Sequence, residues 1–256
     1  MTKLTFLGTG TSHGVPVIGC HCAVCSSDNP KNKRTRCSVL VSIDGKQILI
    51  DTAPELRLQA LAAGFRTVDA ILFTHAHADH VNGIDDIRPF NYFGGGSIPC
   101  YGHKQTLETI SQNFSYIFNS TWRGGGTPQV ELHEVEDTFY VGDIMVEPIL
   151  AYHDVAHRLI VLGYRFGRLA YLTDCKEIPE ESLARLGNLE VLVLNALRRR
   201  PHPTHICLPE ALEIVDRLNP TRAYFTHMAD DLEHEATEAT LPPGRHLAYD
   251  GLVVEV

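Results

Sequence analysis

The densest chemistry in this chain lies in Thr74-His75-Ala76-His77-Ala78-Asp79-His80, where three imidazoles and a carboxylate are crowded together. The run follows Ala70–Thr74, which reads as a buried strand, so its ligands stand at a strand end and in the turn that starts the next element. Small Ala76 and Ala78 let the backbone curl around an ion without side-chain crowding. Imidazole and carboxylate together suit Zn, Mn or Fe. Three more candidates each follow an apolar strand: His153 after Val146–Leu150, Asp174 after Ala170–Leu172, and His227 after Ala223–Phe225. Alone, each would read as a cap or a satisfied polar residue. Strand ends gathered at one sheet edge make a common site.

A second cluster, Gly19-Cys20-His21-Cys22-Ala23-Val24-Cys25, is a C-x-C-x-x-C in a polar loop. Thiolates at that density select zinc. The chain has seven cysteines, an odd number, and these three are too crowded to pair comfortably, which argues against a secreted disulfide framework. The competing reading, three buried cysteines without a metal, fits poorly with the polar setting.

The pattern H-x-H-x-D-H followed by His, Asp and His resembles the metallo-β-lactamase superfamily, from about Leu4 to Val254. The resemblance implies an α/β fold, a four-layer αββα sandwich. It also implies His75, His77 and His153 on one metal, Asp79, His80 and His227 on a second, and Asp174 bridging both. A carboxylate can span two cations about 3.5–4 Å apart with a shared hydroxide between them. Lactamases of the superfamily usually carry cysteine where this chain has Asp174, and the diiron oxidoreductases usually carry glutamate at His77, so neither branch fits. Cys175 adjoins Asp174, but alternation points it to the opposite face, into the core.

Joined to the opening Gly-Thr-Gly-Thr-Ser-His-Gly-Val-Pro, the cysteine loop is similar to that of the PhnP-type phosphodiesterases, which open five-membered cyclic phosphates. Asp250-Gly251 before a final strand and the Thr226-His227 pair fit the same group. The resemblance implies a small phosphodiester substrate, a ribosyl 1,2-cyclic phosphate or a 2′,3′-cyclic nucleotide. It also implies two divalent ions, Mn or Zn, in the active site and one structural Zn on Cys20, Cys22 and Cys25. Those enzymes tend to complete the zinc site with a histidine where this chain has Asp230, which makes Asp230 the expected fourth ligand, with water or His234 as the alternative. His205 stands where the related enzymes carry an active-site histidine. It is the expected proton donor, acting with Asp79 and Asp174, against the bland reading of a solvated histidine before a helix. Arg198-Arg199-Arg200 is either a phosphate grip or a solvated loop. His13, His157 and His202 are expected at the periphery.

Other readings use the same residues. Coenzyme PQQ synthesis protein B resembles the chain in fold and cysteine loop and would make it an oxidative iron enzyme, against which the complete seven-ligand set argues. A tRNA 3′-processing nuclease needs a gripping arm and a basic surface. A catalytically silent metal-binding protein would turn over no ester.

The elements that hold these residues alternate between strand and helix. Leu4–Leu7 reads as a strand. Ser38–Ile43 and Gln47–Ile50 flank the hairpin turn Asp44-Gly45. Glu55–Ala63 reads as a helix ending at Gly64, and Gln105–Phe118 as another. Glycine triplets at Gly94–Gly96 and Gly124–Gly126 bracket a stretch that reads as a lid. Ile144–Leu150, Leu159–Tyr164 and Leu169–Leu172 read as a meander, followed by strand Glu190–Leu194, helix Pro209–Leu218 and strand Ala223–Thr226. This order fits a layered sandwich better than a doubly wound sheet.

At 256 residues with 44% hydrophobic and 21% charged, the chain is expected to form one domain, residues 1–256, with an ample core. Its 22 basic and 31 acidic residues give a net charge of −9, which disfavours general nucleic-acid or anionic-membrane binding. No stretch approaches the ~18 apolar residues of a membrane span, and the opening residues lack a signal-peptide core, so the expected location is cytoplasmic. A homodimer is compatible with all of this.

Overall fold

The structure, a computed structural model, describes residues 1–118, 126–154, 156 and 159–256. Its strands in chain order are β1 (Thr2–Gly8), β2 (Ser38–Ile43), β3 (Lys46–Ile50), β4 (Ala70–Leu72), β5 (Ile98–Gly102), β6 (Val130–Glu134), β7 (Phe139–Val141), β8 (Ile144–Asp154), β9 (Leu159–Phe166), β10 (Leu169–Tyr171), β11 (Val191–Asn195), β12 (Arg222–Thr226), β13 (Arg245–Leu247) and β14 (Val253–Glu255). Among the described residues they form two sheets, ordered β14-β1-β2-β3-β4-β5-β6 and β13-β12-β11-β10-β9-β8-β7. The helices are α1 (Leu56–Ala63), α2 (Ala78–Val81), α3 (Arg88–Gly94), α4 (Lys104–Asn113), α5 (Ser115–Phe118), α6 (Glu180–Ala184), α7 (Leu208–Leu218) and α8 (His234–Glu238).

Side-chain alternation explains the layers. On β3, Ile48 and Ile50 face the second sheet, where they join Leu4, Phe6, Val41, Leu162, Tyr164, Tyr171 and Val193 in one apolar cluster. Leu49 points the other way, into a cluster with Leu56 and Ala60 of α1, Val81 of α2, Phe90 of α3 and Leu107 of α4. Beyond the second sheet, Ala170, Leu172, Leu192, Leu194 and Phe225 pack on Leu183 of α6 and on Ala211 and Val215 of α7. Three apolar layers between four layers of elements make the αββα sandwich.

Local chemistry sets the joints. Asp44 and Gly45 both take positive φ, 49° and 81°, as a two-residue hairpin turn requires. Gly64 ends α1 in the left-handed conformation with φ 73°. Glu210 accepts the Cys207 amide at 2.8 Å and caps α7, with Pro209 in its first turn.

Three expectations need correction. Gln105–Phe118 is not one helix: the chain leaves it at Phe114, where φ is −114°, and restarts as α5. The described part of the stretch between the glycine triplets, up to Phe118, is not a lid, because it contains β5, hydrogen-bonded between β4 and β6. The strand before the histidine run stops at Leu72 rather than Thr74: the Phe73 amide makes the last bond to β5, at the Tyr101 carbonyl, and the Thr74 amide then turns to the Asp51 carboxylate. Gly124, Gly125 and His157 lie outside the described residues. No described helix is long and apolar enough to cross a membrane.

Candidate metal centre

In the first sheet β4, and in the second the parallel neighbours β10, β11 and β12 with β8, which like β10 runs antiparallel to β9, bring their ligands to one edge of the sandwich. His75 and His77 follow β4, Asp79 and His80 ride on the single turn of α2, and His153 lies within the end of β8 rather than after it. Asp174 and His227 follow β10 and β12 with φ of 58° and 55°, and Asp51 follows β3 with φ 62°. Left-handed backbone is unfavourable for a residue with a Cβ. Here it turns the chain abruptly at the strand end and aims each side chain across the edge.

The side chains form two groups whose donor atoms lie within 4.8 Å of one another: His75, His77, His153 and Asp174, and Asp79, His80, Asp174 and His227. Asp174 belongs to both. Its Oδ2 is 3.0 Å from His75 Nε2 and from His80 Nε2, and its Oδ1 is 3.2 Å from His227 Nε2. Asp174, His75, His80 and His227 are all but inaccessible to solvent. Even so, Asp79 Oδ2, His80 Nε2, Asp174 Oδ1 and His227 Nε2 are buried without a hydrogen-bond partner among the described residues. Leaving such atoms unpaired is costly. Four converging orphaned donor atoms of nitrogen and carboxylate type are what a divalent cation satisfies, so the residues fit a metal.

Electrostatics agrees. Burial, aided by the His75 ring, pushes His77 down to about 4, and burial with the neighbouring rings of His205, His75 and His77 pushes His153 down to about 3, so both offer neutral lone pairs at pH 7. Burial opposes ionisation of Asp174, yet His227, His205, His75 and His80 together hold its carboxyl well below the usual range. Burial also disfavours charge on His80, but the carboxylates of Asp51, Asp79 and Asp174 raise it well above an ordinary histidine.

His205, in the loop before α7, places Nε2 2.6 Å from Asp174 Oδ1, and its ring stacks on His227 with centroids 5.1 Å apart. The structure thus brings this residue to the centre. Cys175 is fully buried, and its thiol lies 3.1 Å from Asn195 Oδ1 in the core behind the site. Arg198 and Arg199 turn to local partners, Pro201 O and Thr237 Oγ1, at 2.8 Å each, and His13 is exposed.

One residue escaped the sequence reading. Asp51 Oδ2 lies 2.7 Å from His80 Nδ1, and the carboxylate also takes the Thr74 amide and hydroxyl at 2.8 Å each. Its signal was available: Ile48-Leu49-Ile50-Asp51 is an apolar strand ending in an acid, the same pattern that singled out Asp174.

The cysteines form a separate group. Asp230 Oδ2 is 3.4 Å from the Cys20 and Cys22 sulfurs and 3.7 Å from Cys25 Sγ. His234 turns elsewhere, its ring against Tyr249. Buried Arg34 donates to the carbonyls of Ala229 at 2.9 Å and Leu232 at 2.5 Å, fixing the loop that carries Asp230. Burial pushes Cys25 up to about 12, while the Cys25 amide lowers Cys22.

This fold and edge site define a metallo-β-lactamase-type protein, and the chain belongs to that superfamily: residues 46–228 match the β-lactamase superfamily domain. Within it the chain is PhnP-like. A diphosphatase of the PhnP family superposes with a TM-score of 0.92 at 44% identity, covering 100% of this chain and 98% of that one. The octanoyltransferase of Porphyromonas gingivalis is 39% identical over 255 residues, 98% of this chain and 51% of that protein, so this chain spans about half its length. Coenzyme PQQ synthesis protein B of Methylobacterium nodulans is 31% identical over 231 residues, 74% of this chain and 71% of that protein.

Proposed function

We propose that this chain is a dinuclear metal-dependent phosphodiesterase acting on small cyclic phosphodiesters of the ribosyl 1,2-cyclic phosphate or 2′,3′-cyclic nucleotide type. The observation that carries the reading is the sharing of Asp174 by two ligand groups, with His205 poised on the same carboxylate. The likeness to a PhnP-family diphosphatase supports phosphoester chemistry.

His75, His77 and His153 would hold one ion, Asp79, His80 and His227 the other, and Asp174 both. When bound, Mn or Zn ions supply positive charge to the phosphate oxygens and lower the pKa of an attacking water. Asp51 holds His80 in orientation, and the walls of the sandwich keep bulk water from the ligands. His205 delivers a proton from Nε2 to the departing alkoxide, the poorest leaving group in the reaction. The cysteines with Asp230 would hold a structural zinc that joins the N-terminal loop to the segment after β12.

Purified protein loaded with manganese or with zinc should turn over 2′,3′-cyclic nucleotides, a ribosyl 1,2-cyclic phosphate and bis-p-nitrophenyl phosphate. Inertness toward every diester would overturn the reading, and oxygen consumption by the iron-loaded protein would move it to the oxidative alternative.

A further inference from the structure

Within the second ligand group the Asp51 carboxylate grips His80 from behind, but His227 has no such hold: its Nδ1 is buried without a hydrogen-bond partner among the described residues. Its ring is aimed by its backbone instead, which stands in the left-handed region with φ 55°. That backbone is fixed on both sides. Before it, the Thr226 carbonyl accepts the Ala196 amide at 2.9 Å. After it, Met228 pairs with the loop that follows β1: its amide donates to the Thr9 carbonyl at 2.9 Å, and its carbonyl accepts the Thr11 amide at 3.1 Å. This loop is short of side chains to pack, because Thr9 stands between Gly8 and Gly10, where a Cβ would meet the carbonyls of Arg36 and Arg34. The buried Thr9 hydroxyl anchors it, donating to Asp250 Oδ1 at 2.7 Å across 241 residues of sequence. Asp250 Oδ2 accepts the amide and the hydroxyl of Thr35 at 2.7 Å each, and the next amide, of Gly251, donates to Phe6 O at 2.7 Å.

We propose that Asp250 is a positioning residue for the second ion: through the Thr9 hydroxyl it pins the glycine-flanked loop against Met228, and so sets where the neighbouring His227 presents its ring. The inference rests on the reading that gives His227 to a second ion. Asp250 touches neither ion nor substrate. Its carboxylate draws three segments together, the loop after β1, the Thr35 segment and the turn before β14, and the near and far ends of the chain close over one ligand. Without that acceptor the Thr9 hydroxyl is left buried and unpaired, which costs free energy and favours its turning out of place. Met228 then loses its fixed partner, and His227 must be ordered afresh each time an ion binds. His77 and His153, carried after β4 and within β8, hang on other parts of the two sheets. The loss should fall on one ion rather than on both.

The test is a manganese titration of the full chain followed by electron paramagnetic resonance, which counts bound ions and registers the coupling of an adjacent pair without any turnover. Asp250→Ala removes the acceptor, and Thr9→Val removes the donor with little change of shape should the first variant not fold. Each should weaken the second ion at least about tenfold and lose the coupled-pair signal, with the first ion held within about twofold of the wild type. Thr9→Ser keeps the hydroxyl. Asp250→Asn keeps an oxygen for the Thr35 amide and offers an N–H to the Thr9 oxygen, so both conservative variants should bind two ions as the wild type does. Leu107→Ala, which opens a cavity under α4, should lower the Tm without this selective loss. Undiminished affinity in both Asp250→Ala and Thr9→Val, equal weakening of the two ions, or the same selective loss in Leu107→Ala overturns the proposal. A wild-type protein that holds a single ion, weakened by the same two variants, would instead sink the dinuclear reading and leave the positioning role standing.

Discussion

Asp51 fixes the usable nitrogen of His80: with the carboxylate 2.7 Å from Nδ1, that nitrogen keeps its hydrogen and Nε2 is turned toward Asp79 and Asp174, where a metal ion would take the place of its proton. The Thr74 hydroxyl, spent on the same carboxylate, can only accept from His75 Nδ1 at 3.0 Å, which leaves His75 Nε2 to a metal as well. One acid thus sets the tautomers of one ligand from each group. Asp51→Ala should weaken metal binding about ten- to hundredfold, as read by chelator competition. Unaltered affinity would show that the ligands hold their orientation without it.

Asp174 reaches both groups, so its loss should not be partial. Asp174→Ala should lose at least one ion by elemental analysis and nearly all diesterase activity. Two retained ions with full turnover would contradict the bridging role.

His205→Ala should slow diesters of poorly acidic alcohols by about 10²–10⁴-fold, the usual contribution of a general acid, and activated nitrophenyl esters far less. Equal losses on the two ester types would assign His205 to binding instead.

The cysteine group gives a pH dependence with a definite sign. Burial keeps the Cys25 thiol protonated at neutral pH, with its pKa pushed up to about 12, so zinc must displace that proton. Zinc affinity should therefore rise with pH, and calorimetry in buffers of different ionisation enthalpy should register proton release. In Asp230→Ala, zinc should leave faster to a chelator and the Tm should fall, while the active-site chemistry remains largely intact. Unchanged zinc retention and melting would remove Asp230 from the ligand set.

Gly83 follows the histidine run, where a Cβ would stand 2.0 Å from the Ala53 carbonyl oxygen. The Gly83 amide donates to Thr52 O at 2.9 Å, so backbone meets backbone with no side chain to give way. Gly83→Ala should cost about 1–3 kcal/mol by denaturant titration and disturb α2, which carries Asp79 and His80.

Much of this architecture was legible because its signals are local. The hairpin at Asp44-Gly45, the stop at Gly64 and the apolar strands ahead of Asp174 and His227 each follow from short-range rules, and the ligands were legible because they crowd a strand end. The break at Phe114 was not, since the apolar spacing runs through it unbroken. The role of β5 was hidden for a different reason: Ile98–Gly102 is too short to announce itself beside glycine-rich neighbours, and only its pairing with β4 and β6 reveals it. Asp51 carried the same local signal as Asp174, an apolar strand ending in an acid, but its role of holding His80 shows only once the folded chain supplies the partner.

His227 and Asp230 stand three positions apart, one facing the histidine–aspartate centre and the other the cysteines. The two sites are therefore ruled off on a single measured length of chain, clamped between the Thr9–Met228 backbone bond and the Arg34 grip on Ala229. Surface loops elsewhere are free to lengthen or shrink as the protein diverges, but one residue gained or lost between 227 and 230 would throw both sites out of alignment at once. That segment should be the place in the molecule least tolerant of insertion and deletion.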